Sequence, residues 1–255
     1  MLRNQAKEKI LNGGTAYGVF CPLYSPAVVE LIGHLGFDFV LLDAEHSPIG
    51  VESCDHMVRA ADSVSLPAYI RVAMNIRQNI LRYLDIGALG VQLPMVNNQA
   101  EAKAVVEAVK YRPQGKRGLA GVRAADYGLT MPLKEYTVKA NQETLISIQI
   151  ETLEAVDNLD NLLSVNGVDV FFIGPVDLSN SMGYTGQVSH PKVQAMIEKV
   201  VQRIRAAGRV AGTVAYTHEA LAKAKERKFQ YIVHNVAPML TKSAREYLEL
   251  ARGSC

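Results

Sequence analysis

The chain has 255 residues, 49% of them hydrophobic, with 27 basic against 25 acidic side chains and a formal net charge of +2. That suits one large α/β domain and argues against nucleic acid or anionic membrane as a partner, because the basic residues are scattered and not clustered with aromatics. Cys21, Cys54 and Cys255 are too few and too far apart for a disulfide framework or a zinc site, the first residues carry no signal-peptide core, and no stretch reaches membrane-span length, so the expectation is a soluble cytoplasmic protein.

Apolar runs of strand length alternate with amphipathic runs of helix length. TAYGVFC (15–21) is the first predicted strand, followed by a helix over PAVVELIGHLG. FDFVLLDAE (37–45) precedes the helix VESCDHMVRAADS, and LPAYIRV (66–72) precedes IRQNILRYLDIG. GVQLPMV (90–96) leads into QAEAKAVVEAVKY. LISIQIE (145–151) and VDVFFIG (168–174) flank the helical stretch TLEAVDNLDNLLSV. PKVQAMIEKVVQRIRAAG leads to RVAGTVA (209–215), THEALAKAKERKF leads to YIVHNV (231–236), and APMLTKSAREYLELAR is a last helix. Eight such units in about 250 residues predict a (β/α)8 TIM barrel, one domain over 1–255. A doubly wound open sheet would carry a glycine-rich first turn, which CPLYSP lacks. Two stretches exceed bare connections. The segment 112–142, with RPQGKRGLAGVRAADYG and a predicted helix around MPLKEYTVKA, reads as a lid or subunit contact on the catalytic face, or as a solvated basic loop. DLSNSMGYTGQVSHP reads as a shaped loop beside a ligand.

In a parallel barrel the chemistry sits at the C-terminal ends of the strands. Glu151 and Asp177 end two consecutive strands, and two hard oxygen donors with open positions suit a divalent cation of the Mg²⁺ or Mn²⁺ type. Asp177 alone could equally be a helix cap; Glu151 caps poorly. The second strand ends on Asp43, Glu45 and His46, and the third on Arg71, whose guanidinium needs an anion if buried. Gln149 precedes Glu151 by two residues, and the sixth strand ends on Gly174, Pro175 and Val176 before Asp177. Metal, arginine and a near-neutral base together can hold a 2-oxo acid and stabilise its enolate. No lysine lies in a buried strand, which argues against a Schiff-base aldolase, and without a P-loop or G-x-G-x-x-G no organic cofactor is expected. His34, His56, His190, His218 and His234 lack metal-ligand spacing and read as structural.

GFDFVLLDAEHSP, the Arg71 strand, GVQLPMV, YRPQGKRG, QIET and GPVDLSNSMG, in this order, resemble the HpcH/HpaI aldolase family over nearly the whole chain. The resemblance implies a metal-dependent class II aldolase that cleaves 4-hydroxy-2-oxo acids to pyruvate and an aldehyde. It also implies a homo-oligomer, commonly a hexamer, with the last helix swapped onto a neighbour. Carried over by position, Glu151 and Asp177 hold the metal (Mg²⁺, Mn²⁺ or Co²⁺), and Arg71 stabilises the enolate oxygen. His46 is the general base and Asp85 its partner. Gln149 and the backbone from Gly174 and Pro175 through Val176 and Asp177 hold the pyruvate part, with Asp43 and Glu45 behind them. Only the resemblance supplies Asp85. VAGTVAY places Thr213 and Val214 where many members are more aliphatic, which leaves the aldehyde open. Two other readings stand beside this one. One is a related lyase of CoA thioesters or an oxaloacetate-type decarboxylase; the other is a non-catalytic oxo-acid-binding barrel. His46 and Arg71 beside the acids speak against the latter.

Overall fold

The computed structural model describes residues 3–253. Eight parallel strands close in sequence order into one barrel, β1 pairing with β8. They are β1 (Ala16–Cys21), β2 (Phe39–Asp43), β3 (Ala68–Arg71), β4 (Gly90–Leu93), β5 (Leu145–Ile150), β6 (Val170–Ile173), β7 (Val210–Val214) and β8 (Tyr231–Asn235). The principal covering helices are α2 (Pro26–His34), α3 (Val51–Ser63), α4 (Arg77–Asp85), α5 (Gln99–Val109), α10 (Pro191–Ala206) and α11 (His218–Glu226). The TIM-barrel expectation holds. No helix among the described residues is long and apolar enough to cross a membrane.

Strand periodicity separates two apolar layers. Ile146, Ile148 and Ile150 of β5 belong to the sheath between sheet and helices. Leu145 at the base of the same strand packs in the lumen with Phe39, Tyr69, Phe172 and Tyr231. The Phe39 and Tyr231 rings stack at 4.5 Å between centroids. A Cβ on Gly18 would come within 2.1 Å of the Phe39 ring, so only glycine leaves room for this aromatic layer. Large side chains therefore fill the lower barrel, and polar residues have space only above them.

Several local expectations are corrected. A first helix, α1 (Gln5–Leu11), lies in the N-terminal stretch where the sequence suggested none. Asn4 caps it by accepting the Lys7 amide, and its Ala6 and Ile10 enter the lumen cluster. Tertiary burial, not the short polar sequence, decides this helix. The helix after β5 is split at Asn158 into α7 (Leu153–Asp157) and α8 (Leu159–Leu163). The loop expected after β6 begins as a helix, α9 (Pro175–Ser181), with proline at its first position, where the missing N–H costs nothing.

The 112–142 excursion does not lie on the catalytic face. It follows a helix, α5, and feeds into the N-terminal end of β5, so it occupies the opposite end of the barrel. There it forms a 3₁₀ turn (Arg123–Gly128) and α6 (Leu133–Glu143), with a small core of Tyr111, Ala124, Ala125, Tyr136 and Ala140. The last helix, α12 (Val236–Arg252), has no buried residue, and Leu240, Tyr247 and Leu250 are exposed.

Candidate active site

Strand register gathers the predicted residues. Asp43 of β2 stands opposite Arg71 of β3. Asp43 Oδ1 accepts from Arg71 Nε at 2.9 Å, and Oδ2 accepts from Nη2 at 2.6 Å. Oδ1 also accepts the backbone N–H groups of Glu45 and His46, so one carboxylate fixes both the arginine and the turn that carries the histidine. Burial works to raise the Asp43 pKa, but Arg71 and those two amides outweigh it and hold the carboxyl below its ordinary value. The Arg71 guanidinium also lies over the Phe20 ring, 4.6 Å from its centroid.

On β5 the lumen-facing positions become polar towards the top. Ser147, Gln149 and Glu151 are buried and linked. Ser147 Oγ donates to Gln92 Oε1, Gln92 Nε2 donates to Gln149 Oε1 at 2.8 Å, and Gln149 Nε2 donates to Glu151 Oε2 at 2.5 Å. The other carboxylate oxygen of Glu151 accepts the Met95 N–H at 2.8 Å. Met95 has φ of 54°, the left-handed region that side-chain-bearing residues avoid, and this turn aims its amide at Glu151. Ile150 and Ile173 pair, which sets Glu151 beside Gly174. A Cβ on Gly174 would lie 2.8 Å from Glu151 Oε2, so glycine is required for the carboxylate to sit there.

Asp177 is exposed in the first turn of α9. It is not the helix cap; Gly174 holds that position and makes no side-chain cap bond. Glu45 and Glu151 are both held above their ordinary pKa, first by burial, with Asp177 adding repulsion to each. Glu45 Oε2 faces Arg71 Nε at 3.3 Å yet is buried without a hydrogen-bond partner. His46 is largely exposed, with Nε2 3.7 Å from Glu45 Oε2.

These groups border one cavity of about 290 Å³. Its lining includes His46, Arg71, Gln149 and Glu151, together with the stretch from Gly174 to Asp177. Asp43 and Glu45 stand behind this lining. Phe20, Phe172, Val214, Tyr216 and Asn235 complete it, and the sequence reading had singled out only Val214 among them. Asp85 is not brought to His46. It ends α4 at the N-terminal face of the barrel, where its carboxylate takes Arg117 Nη2 at 2.9 Å. The reason is the one that displaced the 112–142 segment: the end of a covering helix returns to the foot of the barrel.

No group of three or more His, Cys, Asp or Glu suited to a metal occurs among the described residues. A cation here would rest on the two carboxylates Glu151 and Asp177, with other positions left to substrate or water. That fits a hard divalent ion, which needs few protein ligands. Glu45, Glu151 and Asp177 lie close enough to repel one another while Arg71 is already paired with Asp43, a setting that a bound cation would relieve.

The sequence pattern of HpcH/HpaI aldolase/citrate lyase matches residues 16–236. The chain belongs to this family. It is 40% identical over 217 residues to a 2-keto-3-deoxy-L-rhamnonate aldolase of Klebsiella pneumoniae subsp. pneumoniae, a match that covers 84% of this chain and 80% of that protein. Among solved structures it is similar to an HpcH/HpaI aldolase from Desulfitobacterium hafniense DCB-2, with a TM-score of 0.91, 30% identity and 96% of each chain covered. It is also similar to a family protein from Burkholderia cenocepacia J2315, with a TM-score of 0.92, 28% identity and 98% of this chain and 99% of the other covered. The chain is thus an enzyme of the aldolase type, a carbon–carbon lyase.

Proposed function

We propose that the cavity cleaves the C3–C4 bond of a 4-hydroxy-2-oxo acid of the 2-keto-3-deoxy sugar-acid kind, giving pyruvate and an aldehyde. The observation that carries this reading is the meeting of Glu151 and Asp177 with Arg71 in one cavity at the strand C-termini. Glu151 and Asp177 would hold Mg²⁺, Mn²⁺ or Co²⁺, and the bound ion supplies Lewis-acid charge against the oxygens of the 2-oxo acid. No organic cofactor enters the reading.

The chain's own groups supply the rest. Asp43 occupies the Nε–H and one Nη–H of Arg71, which leaves three N–H donors of the five on a guanidinium. They stabilise the C2 oxygen as the C3–C4 electron pair flows onto it and the enolate of pyruvate forms. His46, at the cavity rim, takes the proton of the C4 hydroxyl, so C4 leaves as the aldehyde carbonyl. Gln149 holds Glu151 in place, and Gly174 and Pro175 shape the wall beside it. The N–H groups of Val176 and Asp177, in the uncapped first turn of α9, receive the substrate carboxylate.

Asp85 can serve His46 only if a second copy of the chain delivers it. The exposed apolar side chains of α12 support the same assembly, a homo-oligomer in which this helix crosses to a neighbour, with the hexamer implied by the resemblance. Cys21 and Cys54, both buried free thiols, suit a reducing cytoplasm.

The test is pyruvate release from a panel of 4-hydroxy-2-oxo acids, before and after chelation. Release that is abolished by chelator and restored by Mg²⁺, Mn²⁺ or Co²⁺ is expected. Full activity in metal-free protein, or a lysine adduct trapped by borohydride in the presence of pyruvate, would contradict it.

A further inference from the structure

The cavity has two walls of different chemistry. The acids and the α9 turn form the wall from β5 and β6. Phe20, Val214, Tyr216 and Asn235, from β1, from β7 and its exit, and from β8, form the other. With the 2-oxo acid held by the acids and Arg71, the rest of the substrate extends along this second wall. Phe20 and Val214 offer it only carbon, whereas Tyr216 and Asn235 are polar.

The pair is arranged in one sense. Asn235 Oδ1 accepts the Ala237 N–H at 2.9 Å as the cap of α12, so its amide nitrogen is the group left on the cavity wall that Asn235 shares with the Tyr216 phenol. An amide nitrogen only donates, so towards Asn235 the phenol oxygen can act only as an acceptor, and the phenol proton is left for a third party. Burial raises the Tyr216 pKa although Arg71 and Asn235 act to lower it, so the hydroxyl stays protonated at neutral pH. We propose that the Tyr216 hydroxyl, oriented by Asn235, donates a hydrogen bond to a hydroxyl group of the acceptor aldehyde and selects hydroxyaldehydes over unsubstituted ones. This rests on the aldolase reading above and goes beyond it by assigning the second wall.

The experiment compares glycolaldehyde with acetaldehyde, two acceptors of equal carbon number that differ by one hydroxyl, as partners for pyruvate with the metal-loaded full-length enzyme. The readout is the ratio of the two kcat/KM values. Wild type favours glycolaldehyde, and Tyr216→Phe lowers the ratio by about tenfold, the scale of one hydrogen bond to a substrate hydroxyl. Asn235→Asp keeps an acceptor for the Ala237 amide but draws the phenol proton to itself, and it lowers the ratio as well. A Tyr216→Phe ratio within twofold of wild type, including equal loss on both acceptors, overturns the proposal and leaves the aldolase reading intact. Wild type that adds pyruvate to neither aldehyde overturns both.

Discussion

Arg71 enters the cavity with two of its donors already spent on Asp43, and that fixes where the remaining three point. An asparagine at position 43 would face one of the two arginine N–H groups with an amide NH₂, donor against donor. Asp43→Asn is expected to cost about 3 kcal/mol, the lower end for breaking a buried ion pair, because Glu45 still faces Arg71. Urea unfolding at neutral pH measures it, and a loss under 1 kcal/mol would show that the pair is solvated. The Asp43 carboxyl titrates below its ordinary value, so the contribution of the pair is complete above that value and is lost as pH falls through the folded pKa. At this scale the charged residues were legible. Glu151, Asp177, His46 and Arg71 each stand at or just past the end of an apolar run, which singles them out in sequence even though Asp177 taken alone reads equally as a cap. Phe20, Tyr216 and Asn235 were not, because an aromatic or an amide near a strand end is equally at home in a core or a cap. Asp85 came from the resemblance alone, and the end of a helix is the foot of the barrel.

Among the elements, α12 is the one whose sequence and environment disagree. Its sequence carries an apolar stripe wide for a helix on a monomer's surface, and in the fold Leu240, Tyr247, Leu248 and Leu250 are exposed. Truncation after Pro238 should convert an oligomer into monomers or insoluble protein, as read by light scattering. A stable, active monomer of the full-length chain would count against a crossing helix. The strands and long helices were legible because their periods, two and 3.6, run long enough to be distinguished. The α1 and α9 segments are seven residues each, too short for a period to register. Capping by Asn4 and proline at the first position of α9 were the available signals. The 112–142 excursion was recognised as an insertion but assigned to the wrong end, since its length says nothing about which face it leaves from.

Across the whole molecule, aromatic rings fill the lower barrel and leave the polar groups at the top, while the foot carries a buried charge of its own. Lys110 is 2% exposed and bonds only carbonyl oxygens, those of Asn141 and Thr144 at 2.7 Å. Burial, with nearby Lys7 adding repulsion, lowers its pKa from 10.5 to about 7. The unfolded chain then binds the extra proton between these values, so stability rises with pH from about 7 towards 10.5. Lys110→Met should flatten that rise in urea midpoints, and an unchanged slope would show that the ammonium is solvated. Such a residue was invisible in sequence, because a lysine at the end of an amphipathic helix looks solvent-facing. The central proposal belongs to the top of the barrel: Glu151, Asp177 and Arg71 generate the enolate of pyruvate and His46 acts on the other product. His46→Ala should slow cleavage by about 10²-fold or more, the scale of a general base. The most direct measurement is deuterium exchange into the pyruvate methyl group, followed by NMR with metal content checked. The enzyme loaded with Mn²⁺ should exchange, chelation should stop it, and both Arg71→Ala and Arg71→Lys should suppress it, since lysine lacks the planar fork. Exchange at the wild-type rate without metal, or in the Arg71→Ala protein, would contradict the account and leave Arg71 as a structural partner of Asp43.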